Sequence, residues 1–266
     1  MTDAGTTALA DDLRLAESLV RDAGMLAAGM LAEGLETRHK TSVSDVVSAA
    51  DHAAEELVVS RLRQARPADG LVGEEGSASE GTSGRTWFID PVDGTYNFLS
   101  GLPIWCSAVG LAEPDGRGGW RPLIGAIYQP ATDELWSGGR GHPTTANGRP
   151  VQPLVEAALD RVSLVTYLHP GTLADGDVRD PILAAMSAAA TVRMLGSGSV
   201  ELASVASGRL GSWLQHSVPG WDWLPGAALV EAAGGHTDVL EHRGKRWHVA
   251  GNAQVVADVR DRLQSS

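Results

Sequence analysis

The sequence predicts an α+β fold in which sheets and helices form separate layers, and three observations lead to that prediction. Apolar residues recur at helical spacing near the N-terminus, strand-like runs cluster in the middle, and strands alternate with helices toward the C-terminus. This order of elements is typical of sheets that are covered by helices. A length of 266 residues with 43% hydrophobic residues allows one large domain or two packed halves.

Two helices are expected before the main group of strands. Apolar spacing predicts one helix over about 8–31 and a second over about 48–64, which Pro67 ends. The acidic, Gly/Ser-rich stretch "LVGEEGSASEGTSGRT" predicts an exposed loop. Strand-like runs follow at 86–89, 107–111, 123–128 and 162–165, with turn-rich pieces such as "SGGRGHPTTANGRP" between them.

The C-terminal half alternates between helix and strand. Helices are predicted at 180–189 and 199–206 and in "WLPGAALVEAAGG" and "AQVVADVRDRL"; strands are predicted at 192–195 and in "GSWLQ" and "RWHVA". His216 is expected in an exposed loop. His242, Lys245 and His248 are expected in a solvated turn.

Charge and composition exclude several classes of partner. A net charge of −12 and a pI near 5.0 disfavour nucleic acid and anionic membranes, because the mean field repels polyanions. Aspartates near the N-terminus stand where a signal peptide would be basic, so a cytoplasmic protein is expected. Cys106 is the only cysteine, which excludes an intrachain disulfide and a cysteine-based zinc cluster.

The stretch "WFIDPVDGTYNF" is the strongest chemical signal in the chain. Trp87 to Ile89 predict the end of a buried strand, Pro91 is expected to stop it, and Asp-Gly favours a turn. Asp90, Asp93 and the carbonyl of Val92 can then face one small volume. Converging oxygens repel one another unless a hard cation such as Mg²⁺ lies among them.

Three further segments offer carboxylates. Asp51 lies at the start of the second helix, Glu74 and Glu75 follow a strand-like run, and Asp222 opens a helix between two tryptophans. Taken singly, Asp222 suits a helix N-cap, Asp51 suits a first-turn charge, and the glutamates suit a solvated turn. Independent surface features rarely occur together in this order, so the set favours a metal and phosphate site.

The blocks "GEEG", "WFIDPVDGTYNF" and "WDWLPGAALVEAAGG" resemble the signature blocks of the inositol monophosphatase family, lithium-sensitive, metal-dependent phosphatases related to fructose-1,6-bisphosphatase. The likeness runs from about residue 10 to 260. It implies an α-β-α-β-α sandwich with an N-terminal α+β half, 1–150, that carries most metal ligands. A C-terminal α/β half, 151–266, would carry Asp222 and the substrate-recognition segment. The resemblance also implies a homodimer.

The resemblance implies the ligands of two or three Mg²⁺ ions per active site. Glu74, Asp90, Asp93 and the Val92 carbonyl match the family's ligands, and Asp222 would complete a second metal site. Asp51 would pair with Thr95, and Thr95 and Glu74 would hold and activate the attacking water. Backbone N–H groups of Gly94 and Thr95 would receive phosphate oxygens.

For substrate binding, the resemblance implies contacts from Asp93, Asp222 and the segment Gly196, Ser197 and Gly198. Gln215 stands where inositol-specific members usually carry a glutamate, and an amide binds hydroxyls more weakly than a carboxylate does. Arg193 matches a family arginine, for which a structural ion pair and a substrate contact are both open.

The function that follows is a Mg²⁺-dependent phosphomonoesterase for a small polyol phosphate, with inositol 1-phosphate as the first candidate. Histidinol phosphate, fructose 1,6-bisphosphate and 3′-phosphoadenosine 5′-phosphate are alternative substrates. A non-enzymatic, metal-dependent binding or regulatory module on the same fold is the alternative from a different class.

Overall fold

The computed structural model describes residues 3–34, 37–39 and 46–266, and seven α-helices and fifteen strands are found within these ranges. The helices are α1 Asp3–Glu33, α2 Ala49–Ala65, α3 Thr95–Leu99, α4 Gly176–Ala188, α5 Gly198–Ala206, α6 Gly220–Ala232 and α7 Ala253–Gln264. The strands up to residue 114 are β1 Thr37–His39, β2 Val46–Ser48, β3 Gly70–Gly73, β4 Ala78–Ser79, β5 Thr86–Asp93 and β6 Cys106–Pro114. The later strands are β7 Trp120–Gln129, β8 Glu134–Gly139, β9 His142–Ala146, β10 Arg149–Pro150, β11 Ser163–Thr166, β12 Thr191–Arg193, β13 Ser212–His216, β14 His236–His242 and β15 Lys245–Gly251.

The described elements form five layers, which three of the four apolar clusters hold together. Helices α1 and α2 pack on the outer face of an eight-stranded sheet of order β10-β9-β8-β7-β6-β5-β3-β4. Helices α5 and α6 fill the space between this sheet and a five-stranded sheet of order β12-β11-β13-β15-β14. Helices α4 and α7 cover the far face of the second sheet. The predicted α-β-α-β-α sandwich is therefore confirmed.

The two sheets divide the chain near residue 150. Every strand of the first sheet lies within 70–150, and every strand of the second lies within 163–251. The central core nevertheless takes residues from both sheets and from α5 and α6. Two separate halves, 1–150 and 151–266, therefore stay a prediction.

Two paired glycines set the position of α6 against the first sheet. Gly110 on β6 lies opposite Gly125 on β7. A Cβ atom on Gly125 would lie 2.0 Å from the Pro225 carbonyl oxygen, and one on Gly110 would lie 3.0 Å from the Pro225 nitrogen. Only glycine permits this approach. It places the first turn of α6, which carries Asp222, beside the end of the sheet.

The structure corrects the expectation that Pro91 ends its strand. β5 continues to Asp93, with an irregular register against β6 between Asp90 and Asp93. Proline is tolerated at such an irregularity because it lacks only the backbone N–H. The Pro91 carbonyl still accepts a hydrogen bond from the Ser107 hydroxyl at 2.5 Å.

Strands β8, β9 and β14 were not expected from the sequence. The turn-rich stretch "SGGRGHPTTANGRP" contains the end of β8, all of β9 and β10, and the tight turns between them. β14 is an edge strand whose side chains are exposed or half-buried, so it has no apolar alternation to detect.

The solvated-turn expectation is wrong for His248. Its side chain is buried on β15, and its ring lies 5.0 Å from the Trp223 ring. Burial lowers the pKa of His248 to about 4. His216 is half-buried at the end of β13, with its ring 5.5 Å from that of Trp247.

Within the described ranges, no helix has both the length and the apolar character that a membrane span requires.

Candidate active site

One cleft of about 720 Å³ collects all but one of the predicted site residues. Its lining includes Glu74, Asp90, Val92, Asp93, Gly94, Thr95, Gly196, Ser197, Gly198, Gln215 and Asp222. The remaining residue, Asp51, is fully buried on α2, and its charge contributes to the raised pKa of Glu74. Residues more than 100 positions apart in the chain thus meet at one site.

The Asp90–Asp93 segment forms a tight corner at the end of β5. The Val92 N–H donates to the Asp90 carboxylate at 3.1 Å, and the Thr95 hydroxyl donates to the Val92 carbonyl at 3.1 Å. Gly94 follows with φ of 95°, and a Cβ atom there would lie 3.0 Å from the Ile104 carbonyl oxygen. Glycine is needed both for this left-handed conformation and for this space. The predicted pairing of Asp51 with Thr95 stays a prediction.

Glu74 is held by a turn that sequence reasoning missed. The buried Glu55 carboxylate on α2 accepts hydrogen bonds from the N–H groups of Glu75 at 2.8 Å and Ser77 at 3.0 Å. The Glu74 N–H donates to the Ile89 carbonyl at 3.1 Å. Glu55 therefore positions Glu74. Glu55 lies four residues after Asp51 on the same face of α2, and this spacing could have identified Glu55 from the sequence.

The acidic side chains of the cleft have raised pKa values. Burial is the largest cause for each, and it raises the pKa of Glu74 to about 7. Burial and the neighbouring carboxylates raise the pKa of Asp90 and Asp222 well above their usual range. Burial also raises the pKa of Asp93, although hydrogen bonds from Ser199, Ser197 and Gly198 oppose the shift. Ionising this set together requires compensating positive charge.

The donor set fits a hard divalent cation. All four side chains offer carboxylate oxygens, and Val92 adds a buried carbonyl; these are the donors that Mg²⁺ and Ca²⁺ prefer. Among the residues that the structure describes, no group of three or more acidic, histidine or cysteine side chains is arranged, as it stands, to hold a metal ion. Metal binding by these residues is therefore a proposal that rests on donor chemistry and electrostatics.

A second segment, Leu195–Ser199, contributes Gly196, Ser197 and Gly198 to the cleft lining and is held by two buried carboxylates. The Asp93 carboxylate accepts hydrogen bonds from the N–H groups of Gly198 at 3.2 Å and of Ser199. The fully buried Glu201 carboxylate accepts from the N–H groups of Leu195 at 2.8 Å and Gly196 at 3.1 Å. Asp93 therefore links the metal-binding corner directly to the predicted substrate segment.

Asn97 and Glu201 are functional positions that the sequence did not reveal. The Asn97 amide donates to the carbonyls of Ile104 and Leu195, both at 2.8 Å, and so joins α3 to the substrate segment. Glu201 also accepts from the Trp213 indole at 3.0 Å, and burial raises its pKa to about 7. Neither residue shows its partners locally, because each contact depends on the packing of distant elements.

The cleft also contains five lining residues beyond the predicted set: Tyr96, Asn97, Tyr167, His169 and Pro170. Arg193 donates to the Thr191 hydroxyl at 2.8 Å and the Val192 carbonyl at 2.9 Å on its own strand. Among the described residues, the lining therefore holds four carboxyl side chains and no arginine or lysine.

Comparison with known proteins identifies the family to which this fold and this acidic cleft belong. The family model described as "Inositol monophosphatase family" matches residues 9–263. The chain therefore belongs to the inositol monophosphatase family and is a phosphoric monoester hydrolase.

Individual relatives agree with that assignment. The inositol-1-monophosphatase of Rhizobium meliloti (strain 1021) is 35% identical over 228 residues, which cover 83% of this chain and 84% of that protein. A protein named Nus factor SuhB from Xylella fastidiosa (strain Temecula1 / ATCC 700964) is 33% identical, with 76% and 72% covered. The crystal structure of the extragenic suppressor protein suhB from Bartonella henselae matches with a TM-score of 0.84 at 26% identity, covering 96% of this chain and 99% of that one.

Proposed function

We propose that this protein is a Mg²⁺-dependent phosphomonoesterase that hydrolyses a small polyol phosphate, with inositol 1-phosphate as the first candidate substrate. The observation that carries the proposal is the cleft in which Glu74, Asp90, Asp93 and Asp222 lie together beside the Gly94 corner. Relatives named inositol-1-monophosphatase support the choice of substrate.

The cations would be held by Glu74, Asp90, Asp93, Asp222 and the Val92 carbonyl, two or three per site. When bound, they would neutralise charge on the phosphoryl group and make water a better nucleophile. Glu74 and Thr95 would hold the attacking water, and Asp51 would orient Thr95. Glu74 would accept the proton that this water loses.

The remaining cleft residues would bind the substrate. Backbone N–H groups of Gly94 and Thr95 would bind phosphate oxygens. Gly196, Ser197, Gly198 and Gln215 would face the alcohol half of the substrate, together with Asp93 and Asp222. Histidinol phosphate, fructose 1,6-bisphosphate and 3′-phosphoadenosine 5′-phosphate remain alternative substrates.

We expect a cytoplasmic homodimer that lithium inhibits, as the family resemblance implies. Size-exclusion chromatography with light scattering would test the dimer, and phosphate release with added LiCl would test the inhibition.

The decisive experiment is a phosphate-release assay with a panel of these substrates, with Mg²⁺ and with EDTA. Release from inositol 1-phosphate that requires Mg²⁺ would support the proposal. An absence of release from every substrate would contradict it and favour the non-enzymatic module.

A further inference from the structure

A buried histidine on β15 carries a ring nitrogen that no other group uses. His248 is only 4% exposed. Its Nδ1 atom is buried and has no hydrogen-bond partner among the residues that the structure describes. Most buried polar atoms in proteins are paired, because leaving one unpaired destabilises the folded state. His248 therefore offers a hydrogen-bonding position that a neighbouring group can fill.

The second sheet places His248 directly beside Gln215, which lines the cleft. The two residues are Cα partners in the antiparallel pairing of β13 with β15. Residues directly opposite each other in such a pair project from the same face, with Cβ atoms about 4.5–5.5 Å apart. The neighbouring partners on this face, Trp213 and Ala250, both belong to the central core between the sheets. Gln215 and His248 are therefore the next pair along the face that meets this core.

Aromatic packing holds the imidazole in place. The His248 ring lies 5.0 Å from the Trp223 ring at an interplanar angle of 64°, and Trp223 stacks on Trp213 at 5.5 Å. The Trp213 indole in turn donates a hydrogen bond to Glu201 at 3.0 Å. These three supporting side chains are all buried. A partner for Nδ1 must therefore move toward the ring, and the half-buried Gln215 side chain is the neighbour that can turn.

The His248 ring is neutral near neutral pH. Burial lowers the pKa of His248 to about 4. In a neutral imidazole one nitrogen carries the proton and the other accepts a hydrogen bond. Within the described part of the chain no acceptor holds a proton on Nδ1, and the Nε2–H form is the more stable tautomer of a free neutral imidazole. Nδ1 is therefore the acceptor.

An acceptor at this position decides which end of the Gln215 amide faces the cleft. A glutamine side chain carries a donor, Nε2, and an acceptor, Oε1. When Nε2 donates to Nδ1 of His248, Oε1 is left to face the cleft. A substrate hydroxyl can then donate to Gln215 as it would to a carboxylate, without a further negative charge beside the four carboxyl side chains of the lining.

We propose that His248 is a positioning residue for substrate specificity: its Nδ1 accepts a hydrogen bond from the Gln215 amide and turns the Gln215 carbonyl oxygen toward a hydroxyl group of the substrate. This inference rests on the proposed phosphomonoesterase function, in which Gln215 faces the alcohol half. It adds that the alcohol half carries a free hydroxyl group that donates at this point. His248 acts through Gln215 and does not touch the substrate.

The test is a double-mutant cycle on the preference for a hydroxylated substrate. This preference is kcat/KM for inositol 1-phosphate divided by kcat/KM for cyclohexyl phosphate, which has the same ring size and no hydroxyl groups, at saturating Mg²⁺. A hydrogen bond between neutral groups typically changes an equilibrium about 2- to 13-fold. His248→Leu should lower the preference by a factor in this range, mainly through KM. In a Gln215→Leu background the same substitution should change nothing further, because the group that His248 orients is gone.

Two further variants separate orientation from packing. His248→Asn places an amide oxygen near the position of Nδ1 and should retain more of the preference than His248→Leu does. His216→Leu is the matched control, because His216 follows Gln215 on β13 and its ring lies against Trp247 on the other face of the sheet. The control should leave the preference unchanged. Melting curves would show that each variant is folded.

Nitrogen NMR of the eight histidines provides a readout that does not depend on turnover. In the presence of myo-inositol, phosphate and Mg²⁺, the His248 ring should have its proton on Nε2 and a hydrogen-bonded Nδ1. Gln215→Leu should shift the Nδ1 signal toward that of a nitrogen without a hydrogen bond. The signal is assigned by its loss in His248→Asn.

The inference would be overturned by an unchanged preference in His248→Leu, by an equal loss in both backgrounds, by a His248→Asn variant no better than His248→Leu, or by a proton on Nδ1. In each case the phosphomonoesterase proposal would still stand if inositol 1-phosphate were hydrolysed in a Mg²⁺-dependent way. An absence of Mg²⁺-dependent hydrolysis of every substrate would instead remove both proposals, so the two failures are distinguishable.

Discussion

Replacing Glu74 with glutamine should remove a pH-dependent loss of stability from the metal-free protein. Burial, together with the charges of Glu75, Asp93 and Asp51, raises the pKa of the Glu74 carboxyl from the ordinary value of 4.5 to about 7. In the unfolded chain it would ionise near the ordinary value. Between these two pH values the folded protein holds the extra proton, so its stability falls as the pH rises through that window.

The size of the effect follows from the pKa difference. A pKa raised from 4.5 to about 7 corresponds to about 3 kcal/mol of unfolding free energy. Glutamine has nearly the same shape but no charge. The variant should match the wild type near pH 4.5 and exceed its stability by about 2–3 kcal/mol at pH 8.

The assay is urea unfolding in EDTA at several pH values, followed by the fluorescence of the eight tryptophans. The pKa of His248 is lowered to about 4, so His248 makes the protein less stable as the pH falls below 6.5. This effect is the same in the wild type and the variant, and it cancels in the difference between their unfolding free energies. Glu56→Gln is the matched control, because Glu56 is exposed on the same helix that carries Asp51. This control should follow the wild-type curve.

Parallel pH profiles for the wild type and Glu74→Gln would refute the reasoning, since they would show that Glu74 ionises equally easily in both states. Saturating Mg²⁺ should reverse the order of stability at pH 8. A ligand that binds the folded state stabilises it more the more tightly it binds, and the variant has lost one anionic donor.

Three other substitutions test separate parts of the site. Asp93→Asn should lower kcat by at least about a hundredfold. The substitution removes a negative charge and places an amide against the two N–H groups that donate hydrogen bonds to the Asp93 carboxylate. Near-normal turnover at saturating Mg²⁺ would contradict this prediction. Gln215→Glu should shift the ranking of kcat/KM toward inositol phosphates, and an unchanged ranking would show that Gln215 does not face the substrate. Gly125→Ala should destabilise the fold by about 1–3 kcal/mol and lower kcat, because the new Cβ atom would lie 2.0 Å from the Pro225 carbonyl oxygen. Gly29→Ala is the control and should not destabilise the fold, because the space around Gly29 is open. Equal melting temperatures for the two variants would count against the packing argument.

The parts of the site that could be predicted from the sequence are those whose chemistry is local. Asp90, Pro91 and Asp93 stand within four residues, so their unusual combination is visible without a fold. Asp222 and Glu74 could be added because they occur in similarly distinctive blocks. The structure brings all four acidic side chains to one cleft, as the sequence analysis expected.

The positioning residues could not be predicted because their partners are distant in the chain. Glu55 holds N–H groups about 20 residues later, and Asn97 donates to a carbonyl 98 residues later. Nothing in the local sequence of either residue shows those partners. Tyr167 was overlooked for a similar reason, since only the packing of the second sheet places it on the cleft.

The fold shows the same division between local and distant information. The long helices and the apolar strands of the first sheet follow from periodicity, and their predicted boundaries differ from those of the structure by up to five residues. β9 and β14 escaped prediction because tertiary packing, and not an apolar pattern, stabilises them. β9 holds its place partly through the Thr144 hydroxyl, which donates to the Leu229 carbonyl on α6 at 2.6 Å.

Crystals grown with Mn²⁺ in place of Mg²⁺ would test the central claim most directly, because Mn²⁺ gives an anomalous signal that Mg²⁺ lacks. The account predicts anomalous peaks in the cleft, with oxygens of Glu74, Asp90 and Asp222 at roughly 2.0–2.6 Å, the range of oxygen ligands around hard divalent cations. A map with no peak in the cleft at millimolar Mn²⁺, or with peaks only elsewhere on the molecule, would contradict it.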